Sequence, residues 1–180
     1  MKYYIGIDPS LTGCAVAVVN QDGQFKESRR FGNKLKGMER LVFVRDQVKN
    51  ILNDYNWKNE IKAIGIEGYA RGAKNWREEA GELGGALRIL LYENKIKYID
   101  IAPGQLKKFA TGKGNAPKDQ ILLDVYRKWK IAFRSHDEAD AFVAAQIARA
   151  MFEMNNGENE GTPEILVYEA EVLKKLKVGA

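Results

Sequence analysis

The apolar residues of this chain form short strand-like runs followed by a stretch with helical spacing. The runs KYYIGID, CAVAVVN and QFKESRRF predict three successive strands, with turn residues at 20–23 between the second and the third. A helix is predicted over 37–55 because apolar side chains recur there at helical spacing, at Leu41, Val44, Val48, Ile51 and Leu52. The next run, IKAIGIE, is almost entirely apolar, as expected for a central strand that is buried on both faces.

The second half of the chain alternates in the same way. Apolar spacing predicts a helix over about 75–94, a strand over 97–102, and helices over about 117–130 and 136–154. The order β-β-β-α-β-α-β-α-α favours an open mixed sheet with helices on both sides. We therefore expect one domain over 1–154, then a linker and C-terminal extension over 155–180, in which EILVYEAEVLKKLK predicts a short helix.

Acidic residues occupy the start of the helix over 136–154. Ser135, followed three residues later by Glu138, has the pattern of a capping box, which gives Glu138 a role at the helix start. Asp140 falls on the core-facing stripe of this helix, and Asp137 lies one turn before it. A carboxylate that faces the core needs a partner. The partner is either a metal ion or, alternatively, a buried arginine or backbone donor for Asp140 and the helix dipole for Asp137.

Two more carboxylates stand where predicted strands end. Asp8 closes the first strand and Glu67 closes the run IKAIGIE. Taken alone, Asp8 before Pro9 fits an Asx-turn, and Glu67 fits a solvated strand end. Taken together with Asp140, the two strand ends and the helix can bring three carboxylates onto hard, oxygen-seeking ions such as Mg²⁺. The sequence therefore predicts a metal site made of carboxylates.

The charge of the chain adds a weak preference for nucleic acid. The formal net charge is +5, and residues 157–180 hold five Glu and three Lys, so the rest of the chain carries 26 basic and 19 acidic residues. Such an excess favours polyanions, although many basic domains bind none. A metal site in a basic domain predicts a metal-dependent nuclease.

Other features of the composition predict a cytoplasmic protein that does not enter a membrane. The lone Cys14 lies in an apolar stretch and fits a small hydrophobic residue in a reducing compartment. The start MKYYIG lacks the pattern of a signal peptide, and no run reaches the roughly 20 apolar residues of a membrane span.

Lys118 lies on the helix predicted over 117–130, in its apolar stripe, and is therefore expected to point inward. Asn115 fits the N-cap and Pro117 the first turn of this helix. The preceding TGKG loop would then bring Lys113 and Lys118 toward a phosphate. The alternative is an ordinary lysine whose apolar stem covers the core.

The segment GYARGAKNWR, which follows Glu67, mixes aromatic and basic residues as DNA-contacting surfaces do. The alternative is that its charges are solvated and Trp76 begins the core face of the next helix. That helix contains Gly81, Gly84 and Gly85, each of which costs about 0.5–1 kcal/mol relative to Ala, so we expect another helix to approach it closely. The residues expected to contact DNA are Tyr69, Arg71, Lys74, Arg77, Lys107, Lys108 and Lys113.

Four blocks of the sequence resemble the RuvC family of Holliday-junction resolvases in order and spacing. They are GIDPSLTG, IEGY, FATGKGNAPKDQ and HDEADAFVAAQIA, and the resemblance covers roughly residues 3–152. Actin-like ATPases and sugar kinases share a start like the first block, but 180 residues leave no room for their second nucleotide-binding half. The resemblance implies an α/β fold of the RNase H-like type (ribonuclease H/retroviral integrase), with a mixed five-stranded sheet and helices on both faces.

The resemblance also implies roles for individual residues. Asp8, Glu67, Asp137 and Asp140 would bind two Mg²⁺ ions, with Mn²⁺ as a substitute, and the protein would hydrolyse phosphodiesters of DNA junctions to leave 5′-phosphates. Lys118 would lie near the scissile phosphate. For His136 two interpretations stay open, a catalytic or metal-ligand role or an exposed residue at the helix start.

The family's resolvases are two-fold dimers, and the helix predicted over 75–94 lies where their dimer contact is expected. The tail over 163–180 has no counterpart in the family pattern. One alternative function is therefore a relaxed flap or fork endonuclease. Another is a branched-DNA-binding module without catalysis, against which the presence of all the candidate acids argues. The expected location is the cytoplasm of a bacterial cell or of a phage-infected host.

Overall fold

The computed structural model describes residues 1–68, 78–157 and 165–178, and its centre is a five-stranded mixed sheet. The strands are β1 (Tyr3–Asp8), β2 (Cys14–Asn20), β3 (Phe25–Phe31), β4 (Ile61–Glu67) and β5 (Tyr98–Ile101). They lie in the order β3-β2-β1-β4-β5. The β1–β2 and β2–β3 pairs are antiparallel, and the β1–β4 and β4–β5 pairs are parallel. The opening meander and the mixed sheet agree with the sequence prediction.

Six helices are present in the described residues. They are α1 (Gly37–Asp54), α2 (Glu78–Glu93), α3 (Pro103–Thr111), α4 (Lys118–Trp129), α5 (His136–Asn156) and α6 (Val167–Leu173). All the helices expected from the sequence occur, within about two residues of their expected ends where both ends are described, and α5 runs two residues further than expected. The sequence-based prediction did not include α3, which begins at Pro103, and a proline is compatible with the first position of a helix.

The two faces of the sheet carry separate apolar cores. On one face α1 and α2 pack against the sheet, for example through Val44 of α1 and Leu87 of α2. On the other face α5 lies directly on the sheet, and α3, α4 and α6 surround it. Almost every residue of α5 from Ala139 to Met151 is buried, as expected for a helix enclosed on several sides. The prediction of helices on both faces is therefore confirmed.

The C-terminal extension packs onto the domain. Helix α6 lies against α3, where Glu169 pairs with Lys128 of α4 and Glu171 pairs with Lys108 of α3. Beyond α6, Val178 forms an antiparallel bridge with Ile99 of the edge strand β5. The predicted short helix in the tail is present, and it covers part of the α5 face of the domain.

Two local predictions differ from the structure. The N-cap of α4 is Pro117 and not Asn115, because the chain becomes helical only at Lys118. In α2, the side-chain position of Gly85 faces open space, since a Cβ there would meet no described atom within 4 Å apart from its chain neighbours and the backbone of its own helix. The expected close approach to this helix is therefore absent at Gly85 within the described part of the chain. None of the described helices is long and apolar enough to cross a membrane.

Candidate active site

Two carboxylates meet at the carboxyl ends of β1 and β4, because these strands are parallel neighbours that end side by side. Gly6 pairs with Gly65 and Ile7 with Ile66, so the two strands run in register up to Asp8 and Glu67. Side chains two positions apart on a strand point to the same face. Asp8 and Glu67 therefore share a face with the two glycines, and the short repeat G-I-D and G-I-E in the sequence reflects this arrangement.

The two glycines let α5 lie very close to the sheet. A Cβ at Gly6 would lie 1.8 Å from the carbonyl oxygen of Ala141, and a Cβ at Gly65 would lie 2.4 Å from that of Ala144. Both contacts are with helix backbone, which cannot move aside as a flexible side chain could. The close approach carries Asp140, which immediately precedes Ala141, down to the strand ends.

Three carboxylates converge as a result. Asp8, Glu67 and Asp140 each offer an oxygen, and these oxygens all lie within 4.8 Å of one another. Asp8 is 8% and Asp140 9% exposed. The Oδ1 atom of Asp140 is buried without a hydrogen-bond partner among the described residues. Buried carboxylates with an unsatisfied oxygen are costly unless a cation compensates them, so the donor set fits a hard divalent metal ion.

Burial, together with the repulsion between these acids, raises their pKa values. Burial, followed by the charges of Glu67 and Asp140, raises the pKa of Asp8 well above its usual value. Burial and the charge of Asp140 raise the pKa of Glu67 to about 7. Burial raises the pKa of Asp140 to about 6, although the charges of Lys118 and His136 oppose this increase. A cation bound among these carboxylates would offset the burial and the repulsion that raise their pKa values.

Two lysines of the helical layer act on the same carboxylates. The positive charges of Lys118, at the start of α4, and Lys107, in α3, both lower the pKa of Glu67 and of Asp140. Lys118 is exposed, so its side chain is not buried in the apolar stripe of α4. It is the first residue of α4, and its positive charge acts on the buried carboxyl groups of Glu67 and Asp140.

The first turn of α5 is fixed by hydroxyl groups. The Ser135 hydroxyl accepts a hydrogen bond from the backbone N–H of Glu138 at 3.2 Å, which confirms the predicted N-cap. In a capping box, the carboxylate of Glu138 would accept a hydrogen bond from the backbone N–H of Ser135, and this hydrogen bond is not formed. The carboxylate accepts hydrogen bonds from the hydroxyls of Ser135, at 2.9 Å, and of Ser28 in β3, at 2.8 Å. Glu138 therefore ties α5 to the edge strand.

Asp137 lies beside the three converging acids but is paired with an arginine. The Nε atom of Arg30, in β3, donates a hydrogen bond to Oδ2 of Asp137 at 2.8 Å. The charge of Asp137 nevertheless contributes to raising the pKa values of Asp8 and Asp140. Sequence reasoning did not single out Arg30, because its position depends on the register of three strands.

His136 is half-buried at the start of α5. Its Nε2 atom lies 3.4 Å from a carboxylate oxygen of Asp119, and its Nδ1 atom is buried without a hydrogen-bond partner in the described chain. His136 is therefore not fully exposed, and it is not a member of the group formed by Asp8, Glu67 and Asp140.

The residues expected to contact DNA are distributed unevenly in the structure. Lys107 is near the acids, Lys113 is exposed in the loop after α3, and Lys108 is paired with Glu171 of the C-terminal extension. Tyr69, Arg71, Lys74 and Arg77 lie outside the described residues, as does Trp76.

The fold and the site together define a class of protein. The mixed sheet has the order 3-2-1-4-5, and acids stand at the ends of its two central parallel strands and on the helix that crosses them. This is the RNase H-like α/β class, with a carboxylate site suited to a metal ion.

Comparison with known proteins gives the family within this class. The sequence model of the family described as crossover junction endodeoxyribonuclease RuvC matches residues 4–148. The RuvC protein of Chlamydia muridarum is 28% identical over 148 residues, which cover 78% of this chain and 87% of that protein. The RuvC protein of Wolbachia sp. subsp. Brugia malayi is 29% identical over 163 residues, which cover 81% of this chain and 92% of that protein.

Solved structures agree on the fold. The Thermus thermophilus RuvC structure superposes with a TM-score of 0.67 at 22% identity, covering 86% of this chain and 96% of that chain. The structure of T. thermophilus RuvC in complex with Holliday junction substrate also gives 0.67, at 20% identity, covering 87% of this chain and 97% of that one. The protein belongs to the RuvC family of crossover junction endodeoxyribonucleases.

Proposed function

We propose that the protein is a metal-dependent, structure-specific endonuclease that resolves Holliday junctions or closely related branched DNA. The observation that carries this proposal is the convergence of Asp8, Glu67 and Asp140 at the open edge of the sheet. Membership of the RuvC family supports it, and so does the relative from T. thermophilus that has been solved in complex with Holliday junction substrate.

In this proposal the carboxylates hold two Mg²⁺ ions, for which Mn²⁺ can substitute. Asp8, Glu67 and Asp140 would be the ligands that are already together, and Asp137 would be the fourth. Bound ions of this kind supply an activated water for attack on the phosphorus and stabilise the leaving 3′-oxygen. The unsatisfied Oδ1 of Asp140 supports the assignment, because it is a buried acceptor that the described protein leaves without a donor.

The lysines around the acids would act on the DNA itself. Lys118 is exposed at the edge of the site, and its charge already acts on Glu67 and Asp140. A phosphate held there would be stabilised by Lys118 as negative charge develops on its oxygens. Lys107 and Lys113 would add contacts to neighbouring phosphates, which position the strand without reading its sequence.

The proposed partner besides branched DNA is a second copy of the chain. A four-way junction is cut symmetrically only when two active sites face it at a fixed spacing. Helix α2, on the face of the sheet away from α5, exposes the large apolar side chains of Ile89 (59%) and Tyr92 (69%). These side chains support α2 as part of a homodimer contact, because apolar groups of this size are common at subunit interfaces.

The proposal is tested by cleavage of end-labelled DNA substrates in Mg²⁺. Four-way junction, flap, fork and linear duplex are compared for the intact protein, Asp8→Asn and Asp46→Asn. Asp46, half-exposed on α1 on the opposite side of the sheet, is the matched control. Paired symmetric nicks in the junction, lost only in Asp8→Asn, are the expected result. If flaps and forks are cut and the junction is not nicked symmetrically, the proposed function becomes a relaxed branch-specific endonuclease instead of a junction resolvase. The nuclease proposal would be refuted if none of the DNA substrates is cleaved in a way that depends on Asp8.

A further inference from the structure

The edge strand β3 holds the start of α5 through two side chains. Ser28 and Arg30 lie two positions apart on this strand, and each contacts an acid in the first turn of α5. Ser28 donates to Glu138, whose own partners are both hydroxyls. Arg30 instead pairs with Asp137, the one acid of this turn that the proposed function assigns to metal binding.

Arg30 reaches Asp137 because of the register of the sheet. Asp8 of β1 pairs with Ala15 of β2, and Ala15 pairs with Arg30 of β3, so the three residues form one row across the sheet. Directly paired residues in antiparallel strands point to the same face. Arg30 therefore shares the face of Asp8, with only the small side chain of Ala15 between them.

The guanidinium of Arg30 also has a place prepared for it. A Cβ at Gly13 would lie 2.1 Å from Nη2 and 2.3 Å from Cζ of Arg30, so the guanidinium occupies space that any side chain at position 13 would fill. Nη2 lies 3.5 Å from the carbonyl oxygen of Thr12 as well. Arg30 is thus seated between the loop after β1 and the first turn of α5.

This seating separates the fourth acid from the other three. The oxygens of Asp8, Glu67 and Asp140 are within 4.8 Å of one another, whereas the group does not include Asp137, whose Oδ2 accepts from Arg30. A cation that uses Asp137 must therefore compete with a guanidinium for the same carboxylate. It is also repelled by the positive charge of that guanidinium.

We propose that Arg30 is a positioning residue that makes the two metal sites unequal. The three converging acids form a first site that is ready for an ion, and the second site is completed only when Asp137 turns away from Arg30. This inference rests on the proposed function, since it assumes that Asp137 serves a second ion. It predicts that Arg30 weakens binding of the second ion and leaves the first comparatively unaffected.

The test measures Mn²⁺ binding in the absence of DNA, with the free ion quantified by electron paramagnetic resonance. The variants are Arg30→Gln, which removes the charge, Arg30→Lys, which keeps it, and Arg29→Gln as the matched control. Arg29 is the next residue of β3, is similarly exposed at 41% against 39%, and pairs with Glu27 and Asp54 instead of the site. Thermal unfolding in EDTA checks that each variant is folded.

We expect Arg30→Gln to bind the second Mn²⁺ roughly two- to fivefold more tightly, which is the range of a partly exposed ion pair. Arg30→Lys and Arg29→Gln should resemble the unaltered protein. The gain should vanish when Asp137→Asn is added, because the arginine then has no carboxylate to withhold. Unchanged or weaker binding in Arg30→Gln, or the same gain in the Asp137→Asn background, would overturn the inference.

If Arg30→Gln does not fold, Gly13→Ala displaces the guanidinium from its seat and should give a smaller gain of the same sign, whereas no gain would count against the inference. The proposed function fails separately. It is refuted if the unaltered protein shows no cleavage of branched DNA that depends on Asp8. The inference alone is refuted if the protein binds and cuts but its second ion is indifferent to Arg30.

Discussion

Replacing Asp140 by Asn should make the metal-free protein more stable. Asp140 is 9% exposed, faces Asp8 and Glu67, and has an oxygen without a hydrogen-bond partner in the described chain. Asn keeps nearly the same shape and removes one negative charge from this group. A substitution at the centre of the candidate site is therefore expected to strengthen the fold when no metal is present.

The size of the effect follows from the acidity of the group. Burial raises the pKa of Asp140 from 3.8 to about 6 in the folded protein. At 1.36 kcal/mol per pKa unit, the folded state is destabilised by about 3 kcal/mol when the carboxyl is ionised. Because the folded form binds the proton of Asp140 more tightly than the unfolded form, the contribution of Asp140 to the unfolding free energy falls as pH rises from about 4 to about 7, and this contribution is constant above that range.

The assay is urea unfolding in EDTA at a series of pH values. At pH 7.5 we expect Asp140→Asn to exceed the unaltered protein by about 1–3 kcal/mol, the lower part of the range allowing for relaxation around the site. Toward pH 4 the difference should shrink to almost nothing, because the carboxyl is then protonated in both states. Asp46→Asn, on the half-exposed surface of α1, should change stability by less than about 0.5 kcal/mol at every pH.

Adding Mg²⁺ should reverse the order. An ion present at about 100 times its dissociation constant stabilises the folded protein by about 2.7 kcal/mol, and the variant has lost one of the ligands. Two results would refute the reasoning. One is an Asp140→Asn variant that is less stable than the unaltered protein in EDTA at pH 7.5, and the other is a difference that does not depend on pH.

Three more predictions concern the surroundings of the site. Gly65→Ala should reduce junction cleavage by about 10²-fold in single-turnover assays, because a Cβ placed 2.4 Å from helix backbone must move α5 and Asp140 by about 1 Å. The control is Gly104→Ala, whose Cβ would meet its nearest atom at 3.6 Å and should leave cleavage unchanged. Lys118→Met should lower the cleavage rate by about 10²-fold without weakening Mn²⁺ binding, and weaker Mn²⁺ binding would contradict its assignment to the phosphate. Glu169→Gln should cost about 1–3 kcal/mol in urea unfolding, because its side chain is only 5% exposed and Lys128 would lose its charged partner. Glu171→Gln, at an exposed position, should unfold like the unaltered protein, and equal effects of the two substitutions would contradict a role for burial.

The sequence was informative about the site wherever one element alone determines the position of a residue. Asp140 could be assigned to the core-facing side of α5 because helical spacing fixes which residues share a stripe. Asp8 and Glu67 could be placed at strand ends because both follow apolar runs. Their adjacency was an assumption, because it depends on β1 and β4 being neighbours, and periodicity does not contain the strand order.

The features that the sequence did not predict depend on several elements at once. The pairing of Arg30 with Asp137 needs the register of β1, β2 and β3 together with the position of α5. The exposure of Lys118 depends on α4 starting at that residue and not earlier. Glu138 was expected to bond backbone, and it bonds Ser28 instead, because the edge strand supplies a hydroxyl group that local sequence could not reveal.

The order of the elements along the chain has a consequence for biosynthesis. Asp140 follows Asp8 by 132 residues, and α5 is the element that covers β1, β2 and β4. Until α5 has been made by the ribosome, the strip formed by Gly6 and Gly65 has no helix on it, and Asp8 and Glu67 have no third carboxylate. Contacts between such distant segments also form late and slowly in folding. A growing or broken chain that lacks α5 would therefore lack the cluster of three carboxylates, and the proposed metal site would exist only once α5 is in place.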